Sequence, residues 1–317
     1  MADWRAEIES TVRGEILRDA PLAGRTAVRV GGPADLLVRP ADPDALAALL
    51  RDVRRLGVPL TVLGGGANVL VADRGVRGVV LKLPQDLAPE LESGETLTLN
   101  AGAPNPRLPA RAHARGLVGM EFLAGIPGTL GGSVAMNAGT RIGEMKDVVW
   151  RVELATADGA GFVPASELAF GYRSARVPPG AVVTRVEFRL RRGDVAESAA
   201  AMKADRERRA ATQPLDRPTF GSTFTNPPGD FAGRLIEAVG LKGWRIGNAA
   251  WSQVHANFVV NLGGAAAADV VALMRLARDR VRERFGIVLE TEVRLLGEFA
   301  AEDLRALSGR ERSEGHG

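Results

Sequence analysis

Residues 125–139 read GIPGTLGGSVAMNAG, a run in which glycine or alanine fills nearly half the positions behind a proline that stiffens the entry. Glycine inside a helix costs roughly 1 kcal/mol relative to alanine, and a run so poor in large side chains has little to bury. A packed helix is therefore not expected here. A bare loop would be costly to order, so something flat or extended is expected to lie along the backbone; a close backbone crossing between two domains is the structural alternative. LGGGANVL, residues 63–70, is a second such stretch. Its consecutive glycines let backbone N–H groups approach an anion, and a tight turn after a strand is an equally open reading. Neither G-x-x-x-x-G-K-[ST] nor G-x-G-x-x-G occurs in the chain, so a nucleotide, if bound, sits in another kind of fold. Two glycine-rich runs beside strands suggest one long ligand, such as a dinucleotide, more than a single phosphate.

The rest of the sequence surrounds these runs with ordinary globular material. At 317 residues, 45% hydrophobic and 25% charged, the chain is long enough for two domains. A net charge of only +3 gives no reason to expect a nucleic-acid or membrane-surface partner, and the basic run KADRERRAA, residues 203–211, reads as a solvated helix. Cysteine is absent, which excludes disulfides, thiolate zinc sites and a cysteine nucleophile. The N-terminus lacks an apolar signal region and no run is apolar enough to span a membrane, so a cytoplasmic protein is expected.

Local signals are clear in several places. Asp42 and Pro43 open the periodic stretch DALAALLRDVRRLG, with Gly57 as its stop. Val270, Met274, Ala277, Val281 and Phe285 mark a second helix ended by Gly286, and RLIEAVG a shorter one. Strands are expected at PLTVL, GVVLKL, TLTLNA, VVWRVELAT, ANFVVN and in AVVTRVEFRL, residues 181–190, whose alternation suggests a half-exposed antiparallel strand. IVLETEVRLL, residues 287–296, reads as a last strand with Glu290, Glu292 and Arg294 on one face, and the tail beyond Gly297 as frayed. The elements mix without regular β-α-β alternation, which favours an α+β fold.

Isolated polar residues stand out: Arg173 in FGYRSAR, Ser222 and Asn226 in TFGSTFTN, Lys242 in LKGWRIG, His255 in SQVHANF and Glu292 in LETEVR. Each has a bland explanation as a surface charge, loop cap or satisfied core group, strongest for Glu292 on an alternating strand. No metal-ligand spacing is visible, because the histidines, His113, His255 and His316, lie far apart. Ser222 lacks the G-x-S-x-G setting and histidine base of a hydrolase nucleophile, so a serine that gives up its proton is the better question.

RVGGPADLLV, LGGGANVL, EFLAGIPGTLGGSVAMNAG, FGYRSAR, TQPLDRPTFGSTFTNPPGDFAGRLIEAVGLKGWRIG, HANFVVN and LETEVRLLG occur in one order along residues 20–297. In this the chain resembles the UDP-N-acetylenolpyruvoylglucosamine reductases, flavin enzymes of peptidoglycan precursor synthesis. The resemblance implies noncovalent FAD in a two-part region of the vanillyl-alcohol-oxidase (PCMH) type, residues 1–84 and 85–205 completed by 287–300. A smaller α+β substrate-binding domain would occupy 206–286, with 301–317 as a flexible tail.

By the same resemblance Gly64, Gly65, Gly66, Ala67 and Asn68 would hold the FAD pyrophosphate. Gly125, Ile126, Pro127, Gly128, Thr129, Gly131, Gly132, Ser133, Asn137 and Gly139 would lie along the flavin. NADPH would be the cosubstrate, a sugar nucleotide the substrate, and the protein a monomer. Ser222 matches the proton-donor position: hydride addition to an enol ether leaves a basic enolate-like carbon that an alcohol can protonate. Arg173 matches a position that would hold the substrate carboxylate and stabilise developing charge. Glu292 matches the third active-site position, where it makes sense as a protonated or hydrogen-bonded carboxyl. Asn226 and Lys242 match substrate-holding positions, Lys242 as a counterion to the diphosphate, and His255 stands where the family can have glutamine. Ala67 replaces the usual serine. The chain also lacks the inserted loop with a clamping tyrosine found in one subclass, Tyr172 being its only tyrosine. An FAD-dependent oxidase of the same superfamily, acting on an alcohol or sugar, is the nearest alternative, although neither glycine run contains a histidine for covalent flavin attachment.

Overall fold

The computed structural model describes residues 3–307, arranged as two compact units. Among the described residues the first comprises 3–20, 34–65 and 77–211, and the second 21–33, 66–76 and 212–307.

The first unit carries two hydrophobic cores. In one, α1 (Trp4–Thr11) and α2 (Pro43–Leu56) accompany a four-stranded sheet ordered Gly14–Pro21, Pro33–Pro40, Val76–Leu81, Leu60–Val62. The α2 boundaries follow the expected chemistry. The Asp42 side chain accepts from Ala45 N at 2.8 Å, Pro43 takes the first turn, and Gly57 closes the helix at φ +64°. Leu46, Leu49, Leu50 and Val53 are buried on its inner face.

The other core lies under a five-stranded antiparallel sheet ordered Gly159–Pro164, Val149–Thr156, Val182–Arg189, Thr96–Asn100, Leu91–Ser93. Val182–Arg189 is its central strand and is more buried than its alternation suggests. Glu187 accepts from Arg151 at 2.6 Å and Arg185 pairs with Glu153, and these contacts screen the polar face. Two further short helices, α3 (Leu108–His113) and α4 (Leu130–Ala135), flank this core. The α4 helix lies inside the glycine run that was expected to hold no packed helix. It forms because Leu130 and Val134 are fully buried anchors, while Gly131 fits against Ala101, where a Cβ would come within 3.1 Å. The unit ends in α5 (Val195–Thr212), whose buried positions are Ser198 and Asp205, so the 203–211 segment is not a fully solvated helix.

The second unit has one core. Its antiparallel sheet runs Thr219–Ser222, Phe258–Asn261, Ala249–Trp251, Arg245–Ile246, with α6 (Ala232–Ala238) and α7 (Ala267–Phe285) contributing to the same core. Val270, Met274, Ala277 and Val281 are buried along α7 as their spacing predicts. Asp73 receives the N–H groups of Ala267 and Ala268 at the start of the helix.

The C-terminal segment departs from expectation. Residues 287–293 do not form a regular strand; only Arg294–Leu296 does, in parallel with Val69–Val71, and it does not join the sheet of the 85–205 region. Thr225 N donates to Glu290 O and Thr291 bridges Phe224, after which the chain bends and changes partner, so the 287–296 alternation never becomes one continuous face. Residues 301–307, expected to fray, form α8 (Ala301–Leu307), with Leu307 buried and Arg275 paired with Asp303. The remainder of the expected tail, His316 included, lies outside the described residues.

Candidate active site

In the first unit the two glycine-rich stretches meet. A Cβ on Gly65 would sit 2.4 Å from the Cα of Gly128, and one on Gly64 would sit 2.6 Å from Thr129 Oγ1. Only glycine permits that approach. The contact is a close backbone crossing, as the structural alternative foresaw, but within one unit. It also leaves donors unused: the N–H groups of Gly64, Gly65, Gly128 and Thr129 make no hydrogen bond among the described residues. Gly66 and Ala67, which belong to the second unit, likewise donate to nothing described. Partly accessible backbone donors without acceptors suit a ligand rich in anionic or carbonyl oxygens.

Two residues of the run also make hydrogen bonds within the protein. Ser133 is buried and its hydroxyl accepts from Asn105 Nδ2 at 2.8 Å. Asn137, at φ +40°, donates to Glu144 Oε2 and Gly171 O and accepts from Lys146 N. Its amide thereby braces the turn that carries Arg173. Gly171 and Ser174 bridge each other across that turn, and Arg173 between them stands at φ +54°, a conformation that non-glycine residues adopt at a cost. Its guanidinium donates to Gly139 O at 3.2 Å, which ties it to the end of the glycine run. The chain then passes through residues 176–181 directly into Val182–Arg189, with no inserted element.

In the second unit Ser222 ends the strand Thr219–Ser222, where the register slips opposite Phe258 and Gly221 turns at φ +84°. Ser222 is half-buried, and its hydroxyl makes no hydrogen bond among the described residues. The next residue, Thr223, is fully buried; its N–H donates to Asn257 O at 2.8 Å and its carbonyl accepts from Glu292 N at 2.9 Å. Asn68 completes the arrangement, donating from Nδ2 to Glu292 O at 3.0 Å while its own carbonyl accepts from Arg294 N. Glu292 therefore sits at the bend between two backbone pairings, within one hydrogen bond of the Ser222 segment.

Asn226, Lys242 and His255 are distributed around α6. Asn226 Oδ1 accepts from Ala232 N at 3.0 Å, which caps the helix. Lys242 Nζ donates to Glu237 at 2.9 Å. His255 packs its ring on Phe258 and against Gly233, and Nδ1 accepts from Asn257 N at 3.2 Å. Burial, reinforced by the charge of Lys242, holds its imidazole below the usual histidine pKa. It is a neutral hydrogen-bonding group near neutral pH.

Residues 213–296 match the family model for the C-terminal domain of UDP-N-acetylenolpyruvoylglucosamine reductase, and residues 34–161 match an FAD binding domain. A relative in Anaeromyxobacter sp. (strain Fw109-5), described as UDP-N-acetylenolpyruvoylglucosamine reductase, is 76% identical over 306 residues, 96% of this chain and 96% of its own length. The chain belongs to the UDP-N-acetylenolpyruvoylglucosamine reductase family. A Myxococcus xanthus (strain DK1622) relative of the same description is 55% identical, covering 93% of this chain and 96% of that protein. The crystal structure of UDP-N-acetylenolpyruvylglucosamine reductase from Thermus caldophilus superposes with a TM-score of 0.76 at 40% identity, covering 90% of this chain and 99% of that one. As a reductase of this family the protein is an FAD-dependent oxidoreductase of α+β fold. Its residues fit that cofactor: the unused N–H groups at 64–65 and 128–129 match the acceptor oxygens that FAD carries on its diphosphate and ring.

Proposed function

We propose that this protein reduces UDP-N-acetylglucosamine enolpyruvate to UDP-N-acetylmuramate for peptidoglycan precursor synthesis, as a cytoplasmic monomer using NADPH and noncovalent FAD. The observation that carries the reading is 76% identity along 96% of both chains to a reductase of that description. Residues 1–84 and 85–205 form the two FAD-binding parts of this proposal and 206–286 the substrate-binding domain. Among the described residues, no helix is long and apolar enough to cross a membrane.

When bound, FAD supplies the hydride chemistry, accepting from NADPH and delivering to the terminal carbon of the enol ether. The chain's residues do the rest. Arg173 binds the substrate carboxylate and stabilises the negative charge that spreads onto it as the double bond is reduced. Ser222 gives its hydroxyl proton to the carbon beside that carboxylate, so that hydride and proton together convert the enolpyruvyl group into a lactyl ether. Its support is a hydroxyl with no hydrogen-bond partner among the described residues, on a strand end fixed by Thr223 and Phe258. Glu292 offers a carboxyl proton to the enolate oxygen, on a backbone anchored by Asn68 and Thr223. Lys242 and Asn226 hold the sugar nucleotide, Lys242 through its diphosphate, and His255 adds a neutral hydrogen-bonding group.

The test is anaerobic. NADPH should bleach the bound flavin, and the enolpyruvyl sugar nucleotide should then restore its colour without oxygen. Recovery by oxygen alone would favour the oxidase alternative.

A further inference from the structure

The unused N–H groups at the glycine crossing have something in common on their far side. A trans peptide points its C=O and its N–H in opposite directions, so whatever holds the carbonyl also aims the N–H. Three of the four donors, those of Gly65, Gly128 and Thr129, belong to peptides whose carbonyls are held from within the first unit.

Lys82 holds the first. Leu63 N donates to Leu81 O at 2.8 Å, which extends the parallel pairing of Leu60–Val62 with Val76–Leu81 by one residue. Lys82 therefore follows beside the entrance to the glycines, and its Nζ donates to Gly64 O at 2.7 Å. With that carbonyl tied to a cation, the N–H of Gly65 faces the other way. A charged donor on the oxygen also polarises the peptide and makes its N–H a stronger donor.

Asn105 holds the other two. Residues 101–105 run antiparallel to 128–131: Gly131 N donates to Ala101 O, Leu130 N to Ala103 O and Asn105 N to Gly128 O at 3.1 Å, and Pro104 bridges Thr129. The Asn105 side chain is fully buried; its Nδ2 donates to Ser133 Oγ at 2.8 Å and reaches Pro127 O at 3.4 Å. Two successive carbonyls, of Pro127 and Gly128, thus face Asn105, a conformation that Gly128 permits at φ +105°. The N–H groups of Gly128 and Thr129 project together to the opposite side as a nest. Asn105 does this at a cost to the fold, because its Oδ1 is buried with no hydrogen-bond partner among the described residues. An apolar side chain would avoid that cost.

We infer that Lys82 and Asn105 are positioning residues of the cofactor site, holding the carbonyls of Gly64, Pro127 and Gly128 so that the N–H groups of Gly65, Gly128 and Thr129 are aimed in advance at acceptor oxygens of FAD. Donors set before binding need no reordering when the cofactor arrives. The inference rests on the reading that the two glycine runs hold FAD, and names what keeps them in shape. Both residues act through the backbone, without touching the cofactor.

The experiment follows FAD release from purified holoenzyme, read as the rise of free-flavin fluorescence after dilution, together with phosphorus NMR of the bound diphosphate and visible circular dichroism of the bound ring. Lys82→Met keeps the apolar stem and loses the donor; it should release FAD at least about tenfold faster, the worth of one charge-assisted hydrogen bond, and shift a diphosphate resonance. Lys82→Arg restores a charged donor and should stay within about threefold of wild type. Asn105→Leu leaves the backbone bond to Gly128 O in place and frees Pro127 O, so release should quicken by about three- to tenfold, with a changed ring dichroism. Release at the wild-type rate in either Lys82→Met or Asn105→Leu overturns the inference. So does Lys82→Arg as leaky as Lys82→Met, and so does faster release with both spectra unchanged, which is the mark of general loosening. Should Asn105→Leu fail to fold, Asn105→Ala takes its place under the same criteria, and if neither folds the Lys82 pair decides. If the enolpyruvyl substrate reoxidises wild-type flavin anaerobically while every variant keeps FAD as wild type does, this inference alone fails. Wild-type flavin indifferent to that substrate would refute the functional reading and leave the release rates valid.

Discussion

The backbone N–H of Glu292 donates to the carbonyl oxygen of Thr223 at 2.9 Å, so the two acidic groups proposed for the reaction are carried on directly bonded backbone segments. Asn68 holds the Glu292 carbonyl from the other side. Backbone segments tied in this way hold the two Cα positions in place, which helps a proton donor to meet one face of a planar carbon.

Ser222→Ala should separate the two halves of the turnover. Flavin bleaching by NADPH should proceed at the wild-type rate, while anaerobic reoxidation by substrate should slow by about 10²–10⁴, the usual worth of one positioned acid. Stopped-flow absorbance measures both. Equal slowing of the two would reassign Ser222 to placing the flavin.

Glu292→Gln tests what the carboxyl contributes. A glutamine amide can still donate to an enolate oxygen, so the variant should keep reoxidation within about tenfold of wild type, whereas Glu292→Ala should lose about 10²–10³, the cost of removing one such donor. Glutamine as damaging as alanine would show that the negative charge is required.

Gly65→Ala places a methyl group 2.4 Å from Gly128 Cα, closer than any Cβ tolerates, so one of the two glycine stretches must move. Such overpacking costs about 1–3 kcal/mol. The purified variant should fold but carry much less flavin, read from the ratio of flavin to protein absorbance. Full flavin content with an unchanged melting temperature would rule out a tight backbone crossing.

His255 gives stability a pH dependence of known sign. Its folded-state pKa is lowered, first by burial and then by Lys242. Above the unfolded value of about 6.5 both states are neutral and its contribution is complete; as the pH falls below that value the unfolded chain takes up the proton first and stability is lost. Thermal melts of wild type and His255→Gln between pH 8 and pH 5 should show a smaller acid-side loss in the variant. Parallel curves would mean that His255 is not desolvated.

Much of the fold is legible in the sequence where a local rule operates without competition. Asp42, Pro43 and Gly57 bound α2 through capping alone, and the spacing of Val270, Met274, Ala277 and Val281 places the buried face of α7. Patterns fail where tertiary partners decide. The alternation at 287–296 promises one strand, but the bonds of Glu290 and Glu292 to the 223–225 backbone and of Arg294 to Asn68 break it into two pairings. The α4 helix is hidden by its glycines, since only the burial of Leu130 and Val134 makes it worthwhile.

The site shows the same division. Serine, arginine and glutamate could be singled out because motif order carried them, whereas the burial of Asp205 beside Arg209 could not, since both read as charges on a solvated helix. Without knowing that Gly125 lies against them, no periodicity distinguishes a buried carboxylate from an exposed one. The parts played by Asn137 and Ser133 were hidden for a related reason, since the hydrogen bonds that engage them join segments distant in sequence.

The parallel pairing of Arg294–Leu296 with Val69–Val71 also constrains how the protein can be shortened. A truncation after Gly286 would resemble the trimming of a disposable end, yet it would strip Val69–Val71 of its only ladder partner among the described residues and remove Glu292 in the same cut. Fragment complementation should obey that geometry: a peptide spanning residues 287–307 would have to restore strand pairing before it could restore chemistry.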